Sequence, residues 1–172
     1  LSIRRQRQMC IRDRSRMGRL CHLTTLEPEG LSHVSTDSQW ETIELAVDSG
    51  ASETVIPDGM CNSVPTLPSD ASRRGVEYEV ANGERIPNLG QQRLAGLTDL
   101  EGLPRSITAQ VCAVNKPLLS VAKLVSAGNR VIFEPGAAYI EDTSNGERIW
   151  LKEVDGMYML KLWMPTASNP GF

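Results

Sequence analysis

Hydrophobic and polar positions alternate along several short segments of the chain, which is the pattern of a β-strand with one buried face. In the first segment, Ile43, Leu45 and Val47 would lie on one face, and Glu44 and Ala46 on the other. Further strands are predicted over residues 54–56, 76–80, 85–90, 106–114 and 118–120, with Asn82-Gly83 as a hairpin turn. The pattern therefore predicts a fold built mainly from β-sheet.

One short helix is predicted over residues 121–127. Leu124 and Val125 would face inward, and Gly128 would end the helix. The segment 60–72 is rich in Pro, Ser and Asn and is predicted to form a surface loop.

The last part of the chain is predicted to form further strands. These cover residues 130–133, 138–142, 148–151 and 157–163, with turns at 144–146 and 155–156. Its aromatic side chains are expected in a core rather than on a binding surface, and they are Trp150, Tyr158 and Trp163.

The length of 172 residues suits one domain, and a hydrophobic content of 40% is enough for one core. The net charge of -3 hides an uneven distribution. Residues 1–19 contain seven arginines against Asp13 alone, and the rest of the chain has 11 basic and 20 acidic residues, a net charge of -9. The sequence thus has a basic head and an acidic body.

The basic head, residues 1–35, is open to two interpretations. Clustered arginines neutralise phosphates, so the head could be a nucleic-acid-binding arm. Alternatively, it is a disordered segment that is not native to the protein, because residues 7–14 resemble a translated sequencing adaptor. We adopt the second interpretation and do not expect nucleic acid as a partner. The head has neither the apolar core of a signal peptide nor a run that could span a membrane, so no membrane contact is expected.

The cysteines and histidines do not indicate a metal site. The residues that could bind zinc are Cys10, Cys21, His22 and His33. Their spacing lacks the close pairs that a tetrahedral zinc site needs. Cys61 and Cys112 are expected to be reduced thiols, with Cys112 buried in its strand. Because both histidines lie in the head, a Ser-His-Asp or Cys-His mechanism is not supported.

The strongest chemical signal is an acid at the end of the first strand. Asp48 is followed by Ser49, Gly50 and Ala51, and Gly50 is expected to supply backbone angles that a Cβ forbids. Peptide hydrolysis by water needs one group that accepts a proton and one that gives a proton, and two carboxyl groups that share one proton can do both. The sequence contains one such loop. A second copy of the chain across a two-fold axis would therefore supply the second carboxyl group.

Three segments, in this order, resemble the retropepsins, the single-lobe aspartic proteases of retroviruses and LTR retrotransposons. Residues 47–52, Val-Asp-Ser-Gly-Ala-Ser, resemble the active-site loop. Residues 80–85 followed by Gly90 are similar to the flap, and residues 115–124 are similar to the strand and helix behind the active site. The segment Leu118-Leu119-Ser120-Val121 is most similar to copia-type retrotransposon polyproteins. The resemblance covers residues 40–135.

The resemblance implies an all-β fold, namely a single-lobe retropepsin-like acid-protease barrel with one short helix. The protease core would cover residues 36–135, a small β-rich extension residues 136–165, and a tail residues 166–172. The implied function is that of an aspartic endopeptidase, active as a homodimer, that cleaves a gag-pol-like polyprotein. Neither a metal nor an organic cofactor is implied. The implied location is intracellular, in the cytoplasm or within virus-like particles.

The resemblance also implies roles for individual residues. Asp48 would be catalytic, and Ser49 would brace the two loops across the axis through its hydroxyl group. The floor of the site would be lined by Gly50 and Ala51, and the flap over the substrate would contain Ala81, Asn82 and Gly83. Ser120 departs from the glycine that many retropepsins have there, which leaves the packing behind the loop open.

Two alternatives to an active protease stay open. The chain could be an inactive remnant of a retrotransposon. It could also be a non-enzymatic β-rich interaction module in which Asp48 only accepts hydrogen bonds within its loop, a common role for Asp in turns. For such a module, we expect a monomer whose Asp48 carboxyl group is sealed from solvent.

Overall fold

The computed structural model describes residues 39–80 and 83–166. Most of these residues lie in β-strands, and the two helices among them are short. The strands are β1 (Trp40–Asp48), β2 (Val55–Pro57), β3 (Glu77–Glu79), β4 (Arg85–Thr98), β5 (Pro104–Cys112), β6 (Leu118–Ser120), β7 (Asn129–Glu134), β8 (Ala137–Asp142), β9 (Arg148–Trp150), β10 (Lys152–Val154) and β11 (Met157–Pro165). The helices are α1 (Asp70–Arg73) and α2 (Val121–Ser126). The prediction of a mainly β fold is confirmed.

Eight strands form the main sheet, in the order β10-β11-β1-β6-β2-β5-β4-β3. The short strand β6 lies between β1 and β2, parallel to β1 and antiparallel to β2. Strand β2 pairs in parallel with β5, and β11 pairs with β4 as well as with β1. The strand that ends at Asp48 is therefore held on both sides, by β6 and by β11.

A second sheet contains three antiparallel strands in the order β7-β8-β9. It contributes Ile140 and Ile149 to the same hydrophobic core that Leu45 and Leu160 enter from the main sheet. The two sheets thus share one core.

Hydrophobic and polar residues alternate along β1, and the hydrophobic face of this strand packs into the core. Ile43 and Leu45 are buried, as predicted, and Glu44 is exposed. Burial of each of the two large side chains stabilises the fold by about 1.5–3 kcal/mol. Ala46, which the alternation assigns to the polar face, is buried too, because its small side chain is flanked by strands on both sides.

Helix α1 replaces part of the surface loop expected over residues 60–72. Ser69 Oγ accepts a hydrogen bond from Ser72 N at 3.0 Å, and Ser72 Oγ accepts one from Ser69 N at 2.9 Å. This reciprocal cap stabilises a helix of four residues, which is too short to show a periodic pattern. The expectation of one short helix is therefore corrected to two within the described part of the chain. Neither of these helices has the length and apolar composition needed to cross a membrane.

Three hydrophobic side chains expected to face inward lie at the surface instead. Val125 is 55% exposed, Trp150 41% and Trp163 38%. On β11, Leu162 and Met164 point into the core, so the side chain between them must point outward. Helix α2 has only six residues, so few of its positions can face the core.

The strands that follow residue 136 are divided between the two sheets. Strands β10 and β11 lie in the main sheet, and β11 pairs with β1 from Trp40–Pro165 to Ala46–Met159. The last predicted strand is thus a neighbour of the strand that carries Asp48. The predicted head, residues 1–35, and residues 167–172 of the predicted tail lie outside the described residues.

Gly96 marks a close approach of β4 to β11. A Cβ at this position would lie 2.3 Å from the Trp163 carbonyl oxygen and 2.9 Å from its carbonyl carbon. We expect Gly96→Ala to lower the free energy of unfolding by about 1–3 kcal/mol, because backbone would be forced against backbone. Urea denaturation measures this change. Ala95→Ser, at an exposed position of the same strand, is the control and should change the free energy by less than about 0.5 kcal/mol. An unchanged value for Gly96→Ala would contradict the close approach.

Candidate active site

The Asp48 loop leaves the main sheet at the end of β1 and returns as β2. Strand β6 lies between these two strands, and its last residue, Ser120, pairs with Asp48. The loop, residues 49–54, therefore bends over the end of β6. Because three strands fix its base, the position of the Asp48 carboxylate is set by the sheet as well as by the loop.

The Asp48 side chain is half-buried and turns back onto its own loop. Gly50 N donates a hydrogen bond to Asp48 Oδ1 at 2.7 Å, and Ser49 is exposed beside it. A Cβ on Gly50 would lie only 3.2 Å from the same oxygen. Gly50 does not have a positive φ, so the expected reason for glycine at this position is wrong. Space beside the carboxylate, rather than an unusual backbone angle, favours glycine here.

Ser120 fixes the Asp48 loop through hydrogen bonds. Its side chain is fully buried, and its Oγ donates a hydrogen bond to the Ala51 carbonyl oxygen at 2.6 Å. Its backbone N–H donates to Thr54 Oγ1 at 3.1 Å. The same Oγ accepts a hydrogen bond from Lys123 N at 3.3 Å, which caps helix α2. The hydroxyl group thus makes contacts that a glycine at this position could not make.

A groove of about 420 Å³ runs between the Asp48 loop and the β3–β4 hairpin. Asp48, Gly50 and Ala51 line it on the loop side, and Tyr78, Val80 and Ile86 line it on the hairpin side. Its volume lies in the range of about 300–1,000 Å³ that is typical of ligand sites. The structure therefore brings the predicted acid loop and the strands of the predicted flap to one space.

The hairpin is closed near its tip by two backbone hydrogen bonds. Val80 N donates to the Glu84 carbonyl oxygen at 2.9 Å, and Gly83 N donates to the Val80 carbonyl oxygen at 2.8 Å. Gly83 is exposed and has a φ of +84°, which suits glycine. The other two predicted flap residues, Ala81 and Asn82, lie outside the described residues.

The floor of the groove rests on a small hydrophobic cluster. Val55, Ile86 and Cys112 are buried in it, and Tyr78 packs against it. Burial raises the pKa of the Cys112 thiol to about 11. The thiol is therefore protonated at neutral pH and is not a nucleophile there. Burial also raises the pKa of Tyr78, although a hydrogen bond from Asn88 acts in the opposite direction.

Three carboxylates line the groove, those of Asp48, Glu53 and Glu79. Glu53 Oε1 lies 2.7 Å from Lys123 Nζ, so its charge is partly offset. Glu79 is exposed on β3. Asp48 is therefore the acid that combines a position fixed by the sheet with a place in the groove. Such a group can take a proton from water or share one with a second carboxyl group.

The hairpin-side residues of the groove were not identified as site residues from the sequence. Tyr78 and Ile86 were assigned only to strands, and Val80 was assigned to a strand and to the segment that resembles the flap. A signal for two of them was present, because Tyr78 and Val80 share one face of a strand that runs into a hairpin turn. Side chains on one face of such a strand can line a site beside the hairpin.

Within the part of the chain that the structure describes, the remaining candidate groups form no second site. Cys61 and Cys112 are buried and unpaired, and burial together with nearby Glu41 raises the pKa of Cys61 to about 12. Among residues 39–80 and 83–166, no group of three or more His, Cys, Asp or Glu side chains is placed to hold a metal ion. The other residues considered for zinc lie outside this part of the chain, and they are Cys10, Cys21, His22 and His33.

Comparisons of the chain with protein-family models, with curated proteins and with solved structures found no match. The geometry of the groove is therefore the main basis on which a function can be proposed.

Removal of the Ser120 hydroxyl group should weaken the support of the Asp48 loop. In Ser120→Ala, the Ala51 carbonyl and the first turn of α2 lose their partner, so we expect the free energy of unfolding to fall by about 1–3 kcal/mol. Ser126→Ala is the control, because it removes an exposed hydroxyl that bonds to the Ala122 carbonyl at 2.8 Å in the same helix. Its effect should stay within about 0.5 kcal/mol. Urea denaturation that gives equal effects for both variants would argue against this role of Ser120.

Proposed function

We propose that the chain is a retropepsin-like aspartic endopeptidase that is active as a homodimer, with Asp48 as its catalytic acid. The observation that carries this proposal is the groove of about 420 Å³, which has the Asp48 loop on one side and the β3–β4 hairpin on the other. A hairpin in this place can exclude water from the groove and offer backbone hydrogen bonds to an extended peptide.

The strand pairing supports a single-lobe acid-protease barrel. Strands β11, β1, β6, β2, β5 and β4 are hydrogen-bonded in succession, and β11 also pairs with β4. This additional pairing closes the series, and closure protects strand edges. The segments that resemble retropepsins also agree with this arrangement, because the acid loop, the hairpin strands and β6 all border the groove.

The need for a second carboxyl group supports a homodimer. The two other carboxylates of the groove are poor partners for Asp48, because Glu53 is paired with Lys123 and Glu79 is exposed on the hairpin. Ser49 and Gly50 are exposed at the tip of the loop, which leaves this tip open to a second copy. A two-fold axis at the loop would bring two Asp48 side chains together and place Ser49 where it can brace the two loops.

The proposed dyad contains one ionised and one protonated Asp48. The ionised carboxylate takes a proton from water, whose oxygen attacks the scissile carbonyl carbon, while the protonated carboxyl group gives its proton to the carbonyl oxygen. The C–N bond of the tetrahedral intermediate then breaks. The first carboxyl group gives its proton to the leaving nitrogen, and a hydroxyl of the intermediate returns a proton to the second carboxylate. The dyad ends with one proton, as it began.

The proposed substrate is an extended segment of a retrotransposon polyprotein. Val55, Val80 and Ile86 give the groove apolar walls that can receive hydrophobic side chains of such a peptide. A location in the cytoplasm or within virus-like particles belongs to the same proposal. No cofactor takes part in the proposed reaction.

A non-enzymatic interaction module is the second candidate function. The hydrogen bond from Gly50 N to Asp48 Oδ1 favours it, since Asp makes this contact in ordinary turns. However, the Asp48 side chain is half-buried rather than sealed, and it borders a groove. An inactive remnant of a retrotransposon would share this structure. Measurements of activity must therefore distinguish an active protease, an interaction module and an inactive remnant.

Asp48→Asn should abolish peptide cleavage. An amide cannot accept the proton of water, so we expect kcat/KM to fall at least about a thousandfold in a library of extended peptides. Asp58→Asn is the matched control, because Asp58 is an exposed acid outside the groove lining. Its activity should equal that of the wild-type chain. Cleavage that survives Asp48→Asn would refute the proposed dyad.

Because each chain supplies one Asp48, specific activity should depend on protein concentration. We expect it to fall on dilution as the dimer dissociates. A dilution series with a fluorogenic peptide, together with sedimentation velocity, measures both quantities. An active chain whose specific activity stays constant while it is monomeric would rule out the shared dyad, whereas an inactive monomer at micromolar concentration would favour the interaction module.

A further inference from the structure

The root of the β3–β4 hairpin contains a buried amide that contacts two neighbouring strands. Asn88 Nδ2 donates hydrogen bonds to Tyr78 OH on β3 at 3.1 Å and to Gln110 Oε1 on β5 at 2.7 Å. Asn88 Oδ1 accepts a hydrogen bond from Gly90 N at 2.8 Å. Only 7% of Asn88 is exposed. Loss of this amide would therefore leave several poorly hydrated groups without their partner.

Asn88 lies where the pairing of β4 with β3 ends and its pairing with β5 begins. The pairing of β4 with β5 shifts between Asn88 and Gly90, so Leu89 is an extra residue that forms a bulge. The part of β4 that follows the bulge is firmly held, because Gln91 and Leu67 exchange backbone hydrogen bonds of 2.8 and 2.9 Å. A Cβ on Gly90 would lie 2.6 Å from the Leu67 carbonyl oxygen, which shows how closely the chain is packed there. On the other side of the bulge, the strands of the hairpin line the groove.

Gln110 connects the amide of Asn88 to the Asp48 loop. Its backbone N–H donates to the Thr54 carbonyl oxygen at 2.8 Å, and it pairs with Val55 of β2. Its side chain accepts the hydrogen bond from Asn88. Tyr78, the other acceptor of Asn88, lines the groove from the hairpin side. The side chain of Asn88 thus joins the loop wall and the hairpin wall of the groove by hydrogen bonds, in addition to the hydrophobic cluster of Val55 and Ile86.

We infer that Asn88 is a positioning residue that fixes the strands of the hairpin beside the Asp48 groove by tying Tyr78 and the root of the hairpin to β5. Its effect on cleavage rests on the proposed function, whereas its effect on the hairpin does not. Strands that are fixed beside the groove favour binding of a peptide there, and the hydrogen bonds of Asn88 do not involve Asp48. Loss of the amide should therefore raise KM and leave kcat nearly unchanged.

Amide hydrogen exchange of the full chain, followed by mass spectrometry, tests the effect on the hairpin. In Asn88→Ala, we expect protection in β3 and in the first residues of β4 to fall about tenfold, while β1 and β11 keep theirs. Asn88→Asp keeps an acceptor for Gly90 N and for the Tyr78 hydroxyl, so it should restore part of the protection. Asn62→Ala is the matched control, because this exposed asparagine lies outside the groove lining. It should leave the hairpin unchanged.

Steady-state cleavage of a peptide by the same variants tests the effect on binding. We expect KM to rise about tenfold in Asn88→Ala with kcat within about twofold of the wild-type value, and to recover in part in Asn88→Asp. Tyr78→Phe removes only one acceptor and should raise KM less.

The inference would be overturned by unchanged exchange of the hairpin in Asn88→Ala, or by a fall in kcat at constant KM. Loss of protection throughout β1 and β11 would also overturn it, since Asn88 would then act on the whole fold. If the wild-type chain cleaves no peptide but the hairpin responds as expected, the proposed function fails while the positioning of the hairpin by Asn88 is supported.

Discussion

The structure of the site depends on the hydrogen bond from the Ser120 hydroxyl to the Ala51 carbonyl, which joins residues 69 positions apart. The donor, Ser120, is fully buried, and a hydrogen bond left unmade by a buried hydroxyl group is costly. It fixes the acid loop to β6, and β6 in turn lies between the two strands that the loop connects. The carboxylate of Asp48 is thereby placed by the core of the main sheet.

The two walls of the groove are held in different ways. The loop wall is anchored by strands on both sides and by Ser120. The hairpin wall continues beyond the bulge at Leu89 and is held by Asn88 and by a small hydrophobic cluster. For the proposed protease, a firmly placed acid would suit catalysis, and a hairpin that opens would admit a long substrate. Lids are drawn from the less stable parts of a fold because they have to open.

Features that depend on neighbours in sequence were predictable. The alternation around Leu45, the acid at the end of its strand and the glycine turn at Gly83 are local signals, and the structure contains β1, the loop and the hairpin at these places. Contacts between distant side chains were not predictable, because no local pattern records which strands become neighbours. The hydrogen bond from Asn88 to Gln110 and the position of β11 beside β1 are of this kind. The outward orientation of Trp163 could have been predicted, because Leu162 and Met164 already occupy the inward face.

The pairing of β1 with β11 also bears on the synthesis of the chain. Leu45 lies opposite Leu160, so the partner of the first described strand is translated more than one hundred residues later. Until β11 is made, one edge of β1 has no partner and can pair with other chains. Pairing between strands that are far apart in sequence also makes folding slow. A chain that still lacks β11 therefore holds the strand that ends at Asp48 from one side only. A protease built in this way would gain a fully supported acid only after β11 had been translated.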